Sequence, residues 1–178
     1  PIVALESTLI SHGLPYPENI EVAQSSIDVI KETGSIPATI GIIKGRIKVG
    51  LNKQDIEILS KDKNIEKVSI HNLALPLSNK TNAATTVAST IYIASKFGIK
   101  FFATGGIGGV HLKAGKTFDV SSDLNELSKT TMYIVCSGAK SILDIDKTYE
   151  KLETLGIPRI GFNTDFIPGF WYFHTNII

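Results

Sequence analysis

The sequence predicts an α/β fold in which a layered, largely parallel or mixed sheet is flanked by helices. Two observations carry that expectation. Short apolar runs of strand length alternate along the chain with segments whose apolar residues recur at helical spacing, the pattern of a sheet whose crossovers are helices. Glycine or proline closes several of the helical segments, at Gly34, Gly98 and Gly156 with Pro158. At 178 residues, 43% of them hydrophobic, the chain suffices for one domain with a sizeable core. It reads as a single α/β domain over residues 1–178.

Ile2–Leu5 reads as a short buried strand that runs into the polar cluster Glu6-Ser7-Thr8. Pro15 and Pro17 break the chain before a helix on which Ile20, Ala23, Ile27 and Ile30 share a face. Ala38–Ile43 and Arg46–Val49 are β-rich runs joined at Lys44-Gly45 as a hairpin, and Asn52–Lys63 is a polar surface helix. Ile65–Ile70 is a further strand with imperfect alternation. From Asn82 to Lys96 the residues Ala84, Val87, Ala88, Ile91 and Ser95 line one helical face. Lys100–Ala103 is a strand leading into a glycine-rich turn, Ser121–Lys129 a helix with a start signal, and Met132–Cys136 a strand. Asp144 caps a last helix with Ile145, Thr148, Tyr149, Leu152 and Leu155 on one face, and Arg159–Phe162 follows as a strand. Phe166, Phe170, Trp171, Tyr172 and Phe173 then crowd the final stretch, an aromatic run that calls for a covering surface.

Composition excludes some functions. A formal net charge of +1 gives no broad field for nucleic acid or an anionic membrane, and no apolar stretch is long enough to span a bilayer. The lone Cys136 excludes an internal disulfide and a cysteine zinc cage, and it favours a reducing, cytoplasmic setting, with an organelle left open. The start lacks a signal peptide's basic segment and also lacks methionine, so the sequence reads as beginning inside a longer gene product. Arginine is limited to Arg46 and Arg159, so a phosphate site here relies on lysine, hydroxyls and backbone N–H groups.

Several segments carry candidate chemistry, each beside a plainer reading. Lys140 sits in Cys136-Ser137-Gly138-Ala139-Lys140-Ser141-Ile142-Leu143-Asp144, at a strand-to-helix turn among small and apolar neighbours. Desolvated there, its amine becomes a nucleophile; alternatively, its stem packs while its head reaches water. Thr104-Gly105-Gly106-Ile107-Gly108-Gly109-Val110-His111 lets backbone N–H groups approach an anion, or is a structural turn. His111 stands where the dinucleotide fingerprint needs its third glycine, and no Gly-Lys-Ser/Thr follows, so neither phosphate-loop motif is met. In Thr117-Phe118-Asp119-Val120-Ser121-Ser122-Asp123, the two aspartates can hold a hard divalent ion and the serines a phosphate; the plainer reading is an N-capped helix start. Glu6 is either a general acid at the exit of a buried strand or a surface glutamate. Lys67-Val68-Ser69 with Thr85-Thr86 offers a cation and hydroxyls suited to phosphate, or a solvated lysine.

Taken in order, Leu5-Glu6-Ser7-Thr8, Pro15-Tyr16-Pro17, Ile36–Ile40, Thr85–Ala88, Phe102–His111, Thr117–Asp119 and Cys136–Asp144 closely resemble pseudouridine-5′-phosphate glycosidase. The resemblance covers essentially the whole chain, which matches the amino-terminal part of that longer glycosidase domain. It implies cleavage of the carbon–carbon bond of pseudouridine 5′-phosphate to uracil and ribose 5-phosphate, a divalent metal such as Mn2+, and a homotrimer. By the same resemblance Lys140 matches the nucleophile that forms an imine with the opened sugar, Glu6 the acid, and Asp119 the metal position. Ser121, Ser122 and Asp123 match a substrate-binding stretch. Lys67 and the Thr86-Val87 backbone match further contacts, and Thr104, Gly105, Gly106 and His111 belong to the matching loop.

Two departures stand out. Where the family continues Arg-Arg-Asp after its Lys-Val-Ser, this chain has Ile70-His71-Asn72, which removes two cations and a carboxylate. The family's carboxy-terminal part, which adds an asparagine to the site, has no counterpart here. Two other classes therefore stay open beside the glycosidase: a catalytically silent ligand-binding relative, and a lysine-dependent sugar-phosphate lyase or aldolase.

Overall fold

A computed structural model describes residues 1–170; Trp171, Tyr172 and Phe173 of the aromatic run lie outside the described residues. Strands β1 (Ile2–Leu5), β2 (Ile36–Ile43), β3 (Arg46–Val49), β4 (Glu66–Val68), β5 (Ala83–Thr85), β6 (Phe101–Ala103) and β7 (Tyr133–Val135) form one mixed sheet. Its order is β4-β5-β2-β1-β6-β7, with β3 paired to β2 off that path. The pairs β1–β2, β1–β6, β6–β7 and β4–β5 are parallel, whereas β2–β3 and β2–β5 are antiparallel. The amino half of β2 pairs with β1, and its carboxyl half pairs with β3 and β5. β2 thus joins the parallel part of the sheet to the antiparallel part.

The helices are α1 (Glu18–Glu32), α2 (Lys53–Lys61), α3 (Ala74–Asn79), α4 (Val87–Lys96), α5 (Ala114–Thr117), α6 (Ser122–Lys129) and α7 (Ile145–Thr154). Successive residues of a strand point to opposite faces, and β1 shows both. Ala4 joins the main core with Ile91 and Ala94 of α4, Leu124 of α6 and Leu152 of α7. Leu5 packs against the second cluster, where Ala23 and Ile27 of α1 meet Ile56 and Leu59 of α2. Helices therefore cover both faces, as the alternation predicts. Among the described residues, no helix is long and apolar enough to cross a membrane.

Local chemistry explains the boundaries. Lys44 and Gly45 both have positive φ, the geometry of the two-residue turn that suits a twisted hairpin. A Cβ on Gly45 would also lie 2.7 Å from the Cα of Lys80. At α2, the Asn52 side chain accepts from the Asp55 N–H at 2.9 Å, and Asp55 accepts from the Asn52 N–H at 3.2 Å. This reciprocal cap fixes the helix start. Lys48 approaches the buried Asp55 carboxylate at 2.7 Å and joins β3 to α2.

Three sequence readings need correction. The helix expected from Asn82 is a strand followed by a shorter helix. Ala83–Thr85 is fully buried between β2 and β4, and the Thr86 side chain caps α4 at Val87. Alanine fits either element, and sheet pairing decided which. The strand expected over Ile65–Ile70 stops at Val68, because Asn72 accepts from the Ser69 N–H at 2.8 Å and folds Ile70–Asn72 into a 3-10 turn. Arg159–Phe162 is no strand: Ile160 and Phe162 are 91% and 89% exposed. Gly161 doubles the chain back there, with its missing Cβ only 2.3 Å from the Thr164 carbonyl oxygen. The π-helical turn Leu9–Gly13, α3 and α5 have no counterpart in the sequence reading.

Among the described residues Phe102 is the largest fully buried side chain, and it lies on β6, next to β1. Phe102→Ala is expected to cost about 3–5 kcal/mol, the range for emptying a packed aromatic site. Urea unfolding followed by circular dichroism measures it; a loss under about 1 kcal/mol would show that the site collapses freely.

Candidate active site

Parallel strands deliver their carboxyl ends to one side of a sheet, and the loops beyond those ends carry the polar groups here. Glu6 follows β1, Thr104 follows β6 and Lys140 lies in the turn after β7, while Ser69 follows β4, which belongs to the part of the sheet that runs opposite to these three strands. A cleft of about 290 Å³ opens among them, and Glu6, Lys67, Thr86, Val87, His111, Asp119, Ser121, Ser122, Asp123 and Lys140 all line it. Ten of the expected site residues therefore meet in one place. Thr104, Gly105 and Gly106 are not among its lining.

Those three have other work. Thr104 donates its hydroxyl to Glu6 Oε1 at 2.5 Å. Gly105 and Gly106 lie against the Phe170 ring, and a Cβ on Gly106 would stand 2.6 Å from it. Phe170 is held by its N–H, which donates to the Ser137 carbonyl at 3.1 Å, beside an antiparallel bridge between Gly138 and Gly169. The glycines thus serve close approach of chain to chain. Gly108, farther along the same loop, does line the cleft.

Asp123 is buried, at 6% exposure, yet both of its oxygens are occupied. Oδ1 accepts from the Ala88 N–H at 2.8 Å and Oδ2 from the Gly108 N–H at 2.9 Å. Its own N–H donates to Ser121 Oγ, the N-cap of α6, at 3.2 Å. One carboxylate therefore sits at the first turns of α4 and α6, where helix dipoles favour negative charge, and it holds the glycine loop as well. Its chemistry is chiefly architectural. A Cβ on Gly108 would be 2.3 Å from Ser121 Oγ and 2.7 Å from Asp123 Oδ2, so only glycine fits beneath this clamp.

The cationic end of the cleft is built from Lys67, exposed on β4, and two hydroxyls in contact: Ser69 Oγ and Ser122 Oγ lie 2.7 Å apart. Thr86 caps α4, its Oγ1 accepting from the Ser89 N–H at 3.4 Å. Val87, the first residue of α4, has a backbone N–H that helix geometry leaves without an intrahelical partner. Nearby, His12 has its pKa lowered by burial first and then by the Lys67 ammonium.

Lys140 is half-buried, and none of the salt bridges between described residues involves it. Its backbone is pinned, with its N–H donating to Ile107 at 3.1 Å and its carbonyl accepting from Leu143 at 3.0 Å. Gly138, at φ 95°, shapes the preceding turn; a Cβ there would lie 2.3 Å from the Pro168 carbonyl oxygen. Around the turn, burial pushes both the Cys136 thiol and the Tyr149 hydroxyl above their usual pKa values.

Asp119 is exposed and lies 3.8 Å from His111 Nδ1. Among the described residues, no group of three or more His, Cys, Asp or Glu side chains could hold a metal ion. A fully protein-caged ion does not fit this arrangement. A hydrated hard cation held through one carboxylate does, since such ions keep several waters.

Of the polar side chains that line the cleft, Thr8 lies outside the residues singled out in the sequence, and Ser69 reads there only as part of the Lys67-Val68-Ser69 segment. The signal for Thr8 was weak, a hydroxyl two residues past the strand-exit glutamate.

Fold and cleft together define an α/β protein with a lysine, a carboxylate and a cation-and-hydroxyl end in one pocket. The family model described as Indigoidine synthase A like protein matches residues 1–177, and the chain belongs to that family. A Brachyspira hyodysenteriae protein named pseudouridine-5′-phosphate glycosidase is 58% identical over 170 residues, which are 96% of this chain and 55% of that protein. A Staphylococcus aureus protein of the same name is 55% identical over 171 residues, 96% of this chain and 56% of its own. The chain thus spans little more than half the length of these relatives. The crystal structure of an indigoidine synthase A-like protein from Thermotoga maritima superposes with a TM-score of 0.93 at 40% identity, covering 99% of this chain and 59% of that one. The prealnumycin C-glycosynthase AlnA, solved in complex with ribulose 5-phosphate, superposes with a TM-score of 0.89 at 41% identity, covering 99% and 57%.

Asp123→Asn replaces one acceptor oxygen with an amide that faces a backbone N–H. The expected cost is about 1–3 kcal/mol, since a buried donor loses its partner. Chemical denaturation of the variant beside the parent measures it, and unchanged stability would mean that the clamp is not formed.

Proposed function

We propose that the cleft binds pseudouridine 5′-phosphate and cleaves its C–C glycosidic bond to uracil and ribose 5-phosphate, reversibly, through an imine between Lys140 and the opened sugar. One observation carries this reading: Lys140 and Glu6 line the same cleft as Lys67 and the Ser69–Ser122 hydroxyl pair. The names of the similar proteins point the same way.

The chemistry explains why a lysine is needed. A C-nucleoside offers no nitrogen leaving group, so protonation and departure do not suffice, and the two-carboxylate design of ordinary glycosidases addresses an oxygen bridge instead. In this scheme the unprotonated Lys140 amine bonds to the anomeric carbon while the ring C–O bond breaks, and the ring oxygen takes a proton. The nitrogen lone pair then forms the C=N bond as the C–C bond to the base breaks, and a proton arrives at the base carbon. Water hydrolyses the imine to release ribose 5-phosphate and restore the amine. Glu6 is the group placed to give and take those protons.

The phosphate falls to Lys67, Ser69 and Ser122, with the free Val87 N–H at the start of α4. Asp123 already brings a negative charge to that helix end, so the lysine and hydroxyls carry most of the anion's attraction. Asp119, with His111 beside it, would hold a hydrated divalent ion such as Mn2+, which when bound supplies positive charge near substrate oxygens. A homotrimer belongs to the same reading and rests on the family resemblance, and a cytoplasmic location rests on the lone Cys136.

A second reading has one observation in its favour, the neighbour's complex with ribulose 5-phosphate. In it the same lysine forms an imine with a pentose phosphate to make a C–C bond.

Incubation of the chain with pseudouridine 5′-phosphate and Mn2+ is expected to release uracil. Lys140→Ala should abolish release, and Lys67→Ala should raise KM about tenfold, the equivalent of one lost charge contact near 1.4 kcal/mol. Folded protein that releases no uracil and gives no borohydride-trapped adduct with ribose 5-phosphate would favour the silent relative. An adduct without uracil release would favour the lyase or aldolase.

A further inference from the structure

Glu6 and Thr104 are far apart in sequence but neighbours by register. β1 and β6 are parallel, with Leu5 opposite Ala103, and the next residues on each strand are Glu6 and Thr104. In-register side chains on adjacent strands share a face. The Thr104 hydroxyl accordingly donates to Glu6 Oε1 at 2.5 Å. From the opposite side, Thr8 donates its hydroxyl to Glu6 Oε2. Thr8 is 6% exposed, and its backbone leads into the π-helical turn Leu9–Gly13. The residue after Glu6 is fixed as well: Ser7 Oγ accepts from the Thr85 N–H at 2.9 Å, and Thr85 Oγ1 donates to the Ile40 carbonyl at 2.7 Å.

From this geometry we propose that Thr8 and Thr104 are positioning residues that clamp both oxygens of Glu6, and that neither binds substrate. The reasoning is a count of lone pairs. An ionised carboxylate has about four acceptor sites. Two are filled by the threonine hydroxyls, one on each oxygen, which stops the carboxylate from rotating and leaves one site per oxygen free. Both hydroxyl protons are committed to Glu6, so the threonines have none left to offer a sugar. This inference rests on the reading of Glu6 as the proton-transfer group.

The test uses Thr8→Val, which keeps shape and loses the donor, Thr8→Ser, which keeps the donor, and Thr104→Val. The Glu6 carboxyl 13C signal, assigned by its loss in Glu6→Gln, is expected to move in both valine variants and to return in Thr8→Ser. A signal unmoved by either valine overturns the clamp whether or not the protein is active. With substrate, Thr8→Val should lower kcat for uracil release at least tenfold with KM within twofold, while borohydride trapping of Lys140 by ribose 5-phosphate stays within threefold of the parent. Thr8→Ser should recover most of kcat. A rise in KM at constant kcat would make Thr8 a substrate contact and overturn the proposal, as would unchanged release. A moved carbon signal in a parent that neither traps sugar nor releases uracil would uphold the clamp and reject the proposed reaction.

Discussion

The buried carboxylate of Asp123 is the constraint on which the site depends. It accepts from Ala88 at the start of α4 and from Gly108 in the loop after β6, while its own helix begins at Ser121. A charge this deep is tolerated only when hydrogen bonds and helix ends compensate it, and here both do. Three segments remote in sequence are thereby fixed to one another. Gly108 can pass beneath the clamp only because it has no side chain. Ser122, the next residue after the cap, is brought to Ser69 just past β4, at the end of the cleft that carries Lys67.

The other end is set by the sheet. β1, β6 and β7 run parallel and side by side, so the residues beyond them emerge together: Glu6 from the first, Thr104 from the second, and the Ser137–Lys140 turn from the third. The pairing continues past the strands proper, with Ile107 bridged to Ala139 and Lys140 donating to Ile107. That extension carries the lysine back over the glycine loop. Next to it, Thr148 on α7 accepts from the Val110 N–H at 2.9 Å and would meet a Cβ on Gly109 at 2.4 Å. The run of glycines is thus accounted for mainly by packing, against Phe170, Ser121 and Thr148.

Much of this was legible in the sequence, and the limits are physical. Apolar periodicity located α1 and α7, because one side of each faces a core, while α2 reads as a polar surface helix and α6 is marked by its start signal. It failed at Ala83–Thr85, where alanine and threonine suit a helix or a buried strand and the neighbours β2 and β4 decided. It failed again at Arg159–Phe162, which has strand-like residues but no strand to pair with. The site was legible as residue types in order, but not as partnerships. Asp123 and Thr104 read as substrate contacts by resemblance; the sequence did not reveal that one also holds two backbone N–H groups and the other hydrogen-bonds Glu6. Such roles depend on register and on which helix ends converge, and neither is written in local sequence.

We propose that Lys140 is the nucleophile of a cleft assembled in this way, and a crystal of the chain soaked with ribose 5-phosphate and sodium borohydride would show the bond itself. Continuous density is expected from Lys140 Nζ to the first carbon of an opened sugar, with the phosphate against Lys67, Ser69 and Ser122. Sugar phosphate bound in the cleft with its first carbon unlinked and turned away from Lys140 would contradict it.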